Sequence, residues 1–111
     1  MDFSVRSKIW IEDDRGKVIF GLGRYRILDA VRRTGSMHAA AKELHMSYRA
    51  VWMRVRNSEK RIGKPLIVRE GKGSRLTPFA ENLMKQYRRL LSVVQVETDE
   101  AYQSLIDDHL G

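Results

Sequence analysis

The side chains in this sequence that could do chemistry are cations and aromatics, and they gather in one stretch. From Ser47 to Arg75 stand nine Lys and Arg against two acids, a net +7 in 29 positions. Ammonium and guanidinium groups at this density meet phosphate oxygens through charge-assisted hydrogen bonds, and an Arg fork also fits the O6/N7 edge of guanine. Catalytic patterns are missing. No Ser/His/Asp arrangement, paired carboxylates, phosphate loop or metal-ligand spacing appears, and the glycines of Gly21-Leu22-Gly23 and Gly71-Lys72-Gly73 are too isolated for nucleotide motifs. His38, His45 and His109 are too dispersed for a metal site, and Met37, Met46, Met53 and Met84 read as core or corner filler. With no cysteine, a disulfide scaffold, a thiolate metal site and a Cys nucleophile are excluded together. The expectation is a binding protein with no enzymatic activity, no cofactor and no metal.

The wider charge pattern agrees. The chain has 111 residues and a net charge of +7; residues 1–89 carry +12, and residues 90–111 carry five acids and no Lys or Arg. A basic body steers polyanions whatever the total charge. The length bounds the answer to one small domain with an appended element, and 42% hydrophobic residues suit a folded chain. No signal-peptide core or run long enough to cross a bilayer appears, so a cytoplasmic protein without a membrane partner is expected.

Those basic residues need elements to position them. Alternation over residues 5–12, ending in Ile9-Trp10-Ile11, predicts a strand; Asp13 to Lys17 is a turn, and Val18-Ile19-Phe20 is the return strand. Ile27, Leu28 and Val31 fall at helical spacing in a first helix from Arg24 to Gly35. Ser36 caps a short second helix, Met37 to Leu44, rich in alanine. Ser47 caps a third, about 47–62, with Val51, Val55 and Ile62 as its buried stripe, and Gly63-Lys64-Pro65 ends it. A hairpin follows over about 66–77, with Glu70 to Ser74 at its tip. Thr77-Pro78 then opens a final helix of about 30 residues, with Glu81 set near its N-terminal amides. The fold class is mainly α with small β-hairpins: a winged helix-turn-helix with an N-terminal β-hairpin and a long C-terminal helix. Residues 1–78 form the binding domain, and 79–111 form a dimerisation helix that is not an independent domain.

The stretch Gly35-Ser36-Met37-His38-Ala39-Ala40-Ala41-Lys42-Glu43-Leu44, followed by Ser47-Tyr48-Arg49-Ala50-Val51-Trp52, resembles the N-terminal domain of ModE-type molybdate-responsive transcriptional regulators. Pro65-Leu66 and Leu76-Thr77-Pro78 resemble the LysR-type regulators more distantly, and the likeness covers about residues 5–90. The resemblance implies a dimeric, cytoplasmic, prokaryotic regulator that reads double-stranded DNA, with Ser47, Tyr48, Arg49 and Trp52 opening the recognition helix and Gly71, Lys72 and Gly73 on the wing. ModE-type regulators also carry C-terminal molybdate-binding domains. The chain ends where those would begin, so the expectation is action without a small-molecule effector of its own.

Within that frame, Arg49, Met53 and Arg56 share one helix face by steps of four and three, with Tyr48 and Trp52 beside them. Arg54 lies about 200° from Arg56 and is as well suited to a surface ion pair. Arg49 is assigned to base edges and Arg56 to phosphate, with Lys60 on the same exposed side. Trp52 is open between DNA contact and packing on the neighbouring helix. Ser36 and Ser47 either cap their helices alone or also offer them to phosphates. On the wing, Lys72 reaches a minor groove or its phosphates, flanked by Arg69 and Arg75. Phe79, Leu83, Tyr87, Leu90, Val94 and Leu105 form the last helix's apolar stripe, read as the homodimer interface. Two other readings stay open: a non-specific architectural DNA binder, and a winged-helix module that docks an acidic protein.

Overall fold

Two serines and two glycines set the ends of the central helices. In the computed structural model, which describes residues 3–110, the Ser36 hydroxyl accepts from the Ala39 amide at 3.1 Å and the Ser47 hydroxyl from the Ala50 amide at 3.0 Å. Gly35 and Gly63 adopt φ of 72° and 81°, the left-handed region that lets each amide turn back to Val31 and Glu59. The resulting helices are α1 (Leu22–Thr34), α2 (Met37–Glu43) and α3 (Tyr48–Ile62). Two antiparallel hairpins flank them, β1 (Ile11–Glu12) with β2 (Val18–Phe20), and β3 (Ile67–Glu70) with β4 (Gly73–Leu76). Then come α4 (Pro78–Tyr102), a π-helical turn over Gln103–Asp107 and the short α5 (Asp108–Leu110).

The chain divides into two units, Trp10–Met84 and a second made of the segment up to Ile9 with Lys85 onward. The first has its own core. Ile27, Leu28 and Val31 from α1, Ala40 and Ala41 from α2, and Val51 and Val55 from α3 are buried together with Phe20, Leu66 and Met84. The alanines let α2 and α3 approach closely. Arg33 then latches α1 to α2, holding Asp29 of its own helix at 3.1 Å and gripping both Glu43 oxygens at 2.9 and 2.6 Å.

Close contacts fix the wing. The Ser74 amide donates to the Gly35 carbonyl at 2.8 Å, and a Cβ on Gly73 would stand 2.4 Å from that oxygen, so glycine is required there. At the wing's base, Glu59 of α3 accepts from the amides of Leu66 and Ile67 at 2.7 and 3.1 Å.

Several details differ from the sequence reading. The first strand is only Ile11–Glu12, because β2 offers three residues to pair with and the earlier residues have no partner strand among the described residues. Helix α1 begins at Leu22, two residues before the expected start. Ile62 is half-buried, and Ser58 takes the fully buried place on the α3 stripe. Met53 is exposed rather than filler. At the start of α4 the Thr77 hydroxyl accepts from the Ala80 amide, and the Glu81 carboxylate turns to Arg32 at 3.6 Å.

In the second unit, side chains from α4 hold the N-terminal segment. The Tyr87 hydroxyl donates to the Ile9 carbonyl at 2.9 Å, and Gln95 donates to the Val5 carbonyl at 3.4 Å. Tyr87 is buried, which removes its ring from the surface on which the apolar stripe placed it. The large apolar residues exposed on α4 are Leu90, Val93 and Val96, with Leu105, Ile106 and Leu110 exposed beyond it; Phe79, Leu83 and Val94 are half-buried. No helix among the described residues is long and apolar enough to cross a membrane.

Candidate nucleic-acid interface

Helix α3 buries Val51, Val55 and Ser58 and so must turn the opposite face outward. That face carries Tyr48, Arg49, Trp52, Met53, Arg56 and Lys60, all exposed. Tyr48 is stacked flat on His38 of α2, ring centroids 3.9 Å apart and planes 8° from parallel. Trp52 is 40% exposed, its ring capped by the Arg56 guanidinium 5.8 Å from the centroid. Tyr48, Arg49, Trp52 and Met53 line a shallow hollow of about 400 Å³. The Tyr48–His38 stack gives this surface a rigid floor where α3 begins.

The wing faces the same region. Ser36, His38, Tyr48, Arg56, Arg69 and Lys72 all line a groove of about 260 Å³ between the helix-turn-helix and β3–β4. Lys72 sits in the two-residue tip between the strands, where Gly71 takes φ of 57°. Arg75 pairs across the strands with Glu70 at 3.4 Å, while Arg69 is exposed without an ion pair among the described residues. Of the site residues assigned from sequence, Ser36, Tyr48, Arg56, Arg69 and Lys72 share the groove and Tyr48, Arg49, Trp52 and Met53 the hollow, whereas Lys60 lines a separate hollow with Asp13, Asp14 and Arg61; the hydroxyl oxygens of Ser36 and Ser47 are engaged as caps.

The ion pairs of Arg54 and Arg56 fall differently from what spacing alone suggested. Arg56, assigned to phosphate, is paired with Glu59, one turn on in the same helix. Arg54, which suited a surface ion pair, makes none among the described residues. Glu59 itself was missed. It is the one acid in the basic run of α3, and it joins Arg56 to the base of the wing through its two oxygens. Among the described residues no three His, Cys, Asp or Glu side chains converge as a metal site would require.

Two crossing helices, a tight corner at His45, an exposed basic third helix and a glycine-tipped hairpin define a winged helix-turn-helix protein with a cationic recognition surface. Residues 22–81 match the bacterial regulatory helix-turn-helix proteins of the lysR family, and the chain belongs to that family. Its relatives include a molybdenum transport protein ModE of Azotobacter vinelandii, 34% identical over 89 residues, which are 76% of this chain and 30% of that protein. They also include a probable RuBisCO transcriptional regulator of Emiliania huxleyi, 34% identical over 86 residues, 78% of this chain and 27% of that one. The chain thus spans less than a third of the length of these relatives. Among solved structures, the DNA-binding domain of CbnR in complex with DNA is similar with a TM-score of 0.59 and 27% identity, over 74% of this chain and 94% of that one.

Proposed function

We propose that this chain reads double-stranded DNA as the binding part of a prokaryotic transcriptional regulator at the cytoplasmic nucleoid. In this reading α3 lies in the major groove and the β3–β4 wing lies on the adjacent backbone or in the minor groove. The observation that carries it is the adjoining surface of α3 and the wing: Arg49 lines a hollow with Tyr48 and Trp52, and Tyr48 and Arg56 line a groove with Arg69 and Lys72 of the wing. An α-helix fits the major groove, its N-terminal turns reach base edges, and cations on its flanks neutralise phosphates. Membership of a helix-turn-helix regulator family and likeness to a domain solved with DNA support the same reading. The regulator acts as a homodimer, paired through exposed apolar residues of α4, so that two recognition helices meet two half-sites.

Selection of bound duplexes from a random pool tests this. Enrichment of an inverted repeat, with half-sites about one helical turn apart, is the expected result. Binding without enrichment would make the protein an architectural binder. No binding at any salt concentration would leave the basic face to an acidic protein partner.

A further inference from the structure

Three arginines outside the surface described above, Arg24, Arg54 and Arg61, repel one another, and none is ion-paired to a carboxylate among the described residues, although Asp13 and Asp14 line a hollow with Arg61. Arg24 lies in the first turn of α1, where no acid accompanies it and where the helix's own positive end already disfavours a cation. Its Nε is buried and finds no acceptor among the described residues. Arg54 and Arg61 of α3, about 20° apart around the helix axis, complete the cluster. Burial, then repulsion from Arg61, then repulsion from Arg54 lower the Arg24 pKa below the ordinary range of a guanidinium. Arg61 donates to the Val18 carbonyl at 2.7 Å, which pins it beside β2. None of the three makes an ion pair among the described residues. Asp13 feels Arg61 and Arg15, but its carboxylate accepts first from the amides of Arg15 and Lys17, at 2.9 Å each, inside the turn of the first hairpin.

The position of the cluster bears on which anion it would meet. Around the α3 axis, Arg54 stands about 100° from Met53, on the side away from Arg56 and the wing. A helix seated in a groove about 12 Å wide has a phosphate wall along each flank. Arg56, Arg69 and Lys72 line the groove on the wing side; by helix geometry Arg54 and Arg61 fall on the other side of α3.

We infer that Arg24, Arg54 and Arg61 form a second backbone clamp, binding phosphodiester oxygens of the strand opposite the one met by the wing. This rests on the DNA reading above and adds residues to it. Arg24 and Arg61 are held in place before binding, one by burial and one by the Val18 carbonyl, and phosphates would balance the charge that no ion pair among the described residues neutralises. The contact reads no sequence, because phosphates are the same at every base pair.

The test uses the full chain, with anisotropy titrations on a selected duplex and on an unrelated one across a salt series. Arg54→Gln should weaken both duplexes by the same factor and reduce the slope of log affinity against log salt by about 0.9, and adding Arg24→Gln should double the change. The thermal midpoint of the free protein should hold or rise, since each substitution relieves repulsion. Wild-type protein that binds while Arg54→Gln matches it in affinity and slope would overturn the clamp alone. Loss of binding in Arg24→Gln together with a lowered midpoint, with Arg54→Gln silent, would make Arg24 structural and also overturn it. Wild-type protein that binds neither duplex would overturn the DNA reading itself.

Discussion

Arg49 stands in the first turn of α3 with its fork unpaired among the described residues, while Arg56 on the same face is bound to Glu59. Of the two, Arg49 therefore has its donors free for a base edge. Arg49→Ala should cost about 1–3 kcal/mol on the selected duplex and relax the preference at one position, whereas Lys72→Ala should weaken all sequences alike and lower the salt slope by about 1. Equal losses from both on every duplex would refute the division of roles. Residue types and spacing revealed which face of α3 is exposed, but not the partners on it. Arg54 and Arg56 differ in pairing because Glu59 lies one turn from Arg56, and Glu59 is itself oriented by the Leu66 and Ile67 amides at the base of the wing, beyond the end of the helix. Ser58 was equally hidden. Its place at steps of seven and three from Val51 and Val55 marks a core position, yet its type suggests the surface, and its buried Oγ has no hydrogen-bond partner among the described residues. Ser58→Ala should raise stability by about 1 kcal/mol in denaturant unfolding, because an unsatisfied buried hydroxyl costs at least that; a fall in stability would show that the hydroxyl is satisfied.

The α1–α2 pair depends on a charged latch whose sign with pH can be worked out. Hydrogen bonding from Arg33 holds the Glu43 carboxyl below its ordinary value of 4.5. Burial pushes Asp29 up, but the hydrogen bonds from Arg32 and Arg33 outweigh it and leave Asp29 below 3.8. Carboxyls depressed in the folded state contribute stability above their ordinary values and lose it as pH falls through the folded ones. Arg33→Met should therefore be less stable than wild type at pH 7, with the gap closing as pH drops below about 4. A gap that stays constant to low pH would mean that the latch contributes packing alone. Caps of this part of the fold were legible because Ser36, Ser47, Gly35 and Gly63 each satisfy a local backbone need. The strand expected over residues 5–12 was not, since alternation marks which side chains turn inward but not whether a partner strand exists. Here the Ile9 and Val5 carbonyls are satisfied by Tyr87 and Gln95 of α4, nearly the whole chain away.

At the scale of the molecule, the apolar stripe of α4 splits into two faces that the sequence shows as one. Tyr87 is turned inward and holds Ile9, whereas Leu90, Val93 and Val96 lie outward, with Val93 60% and Val96 55% exposed. Residues at steps of three on a helix lie close to one face, and two copies of such a face can cover each other about a two-fold axis. We therefore place the proposed dimer contact on Leu90, Val93 and Val96 and not on Tyr87, a placement that combines with the proposed two half-sites in a specific way. Coupling two modules makes the second contact intramolecular, so affinity for a paired site exceeds that for one half-site without any new contact to DNA. Val93→Glu with Val96→Glu places charges on the face to be buried and leaves α3, the wing and the arginine cluster untouched. The double variant should sediment as a monomer and lose its preference for paired half-sites over a single one, while its affinity for a single half-site stays at the wild-type level. A variant that still sediments as a dimer would place the interface elsewhere, and a wild-type monomer that nevertheless prefers the paired site would show that DNA itself brings the two copies together.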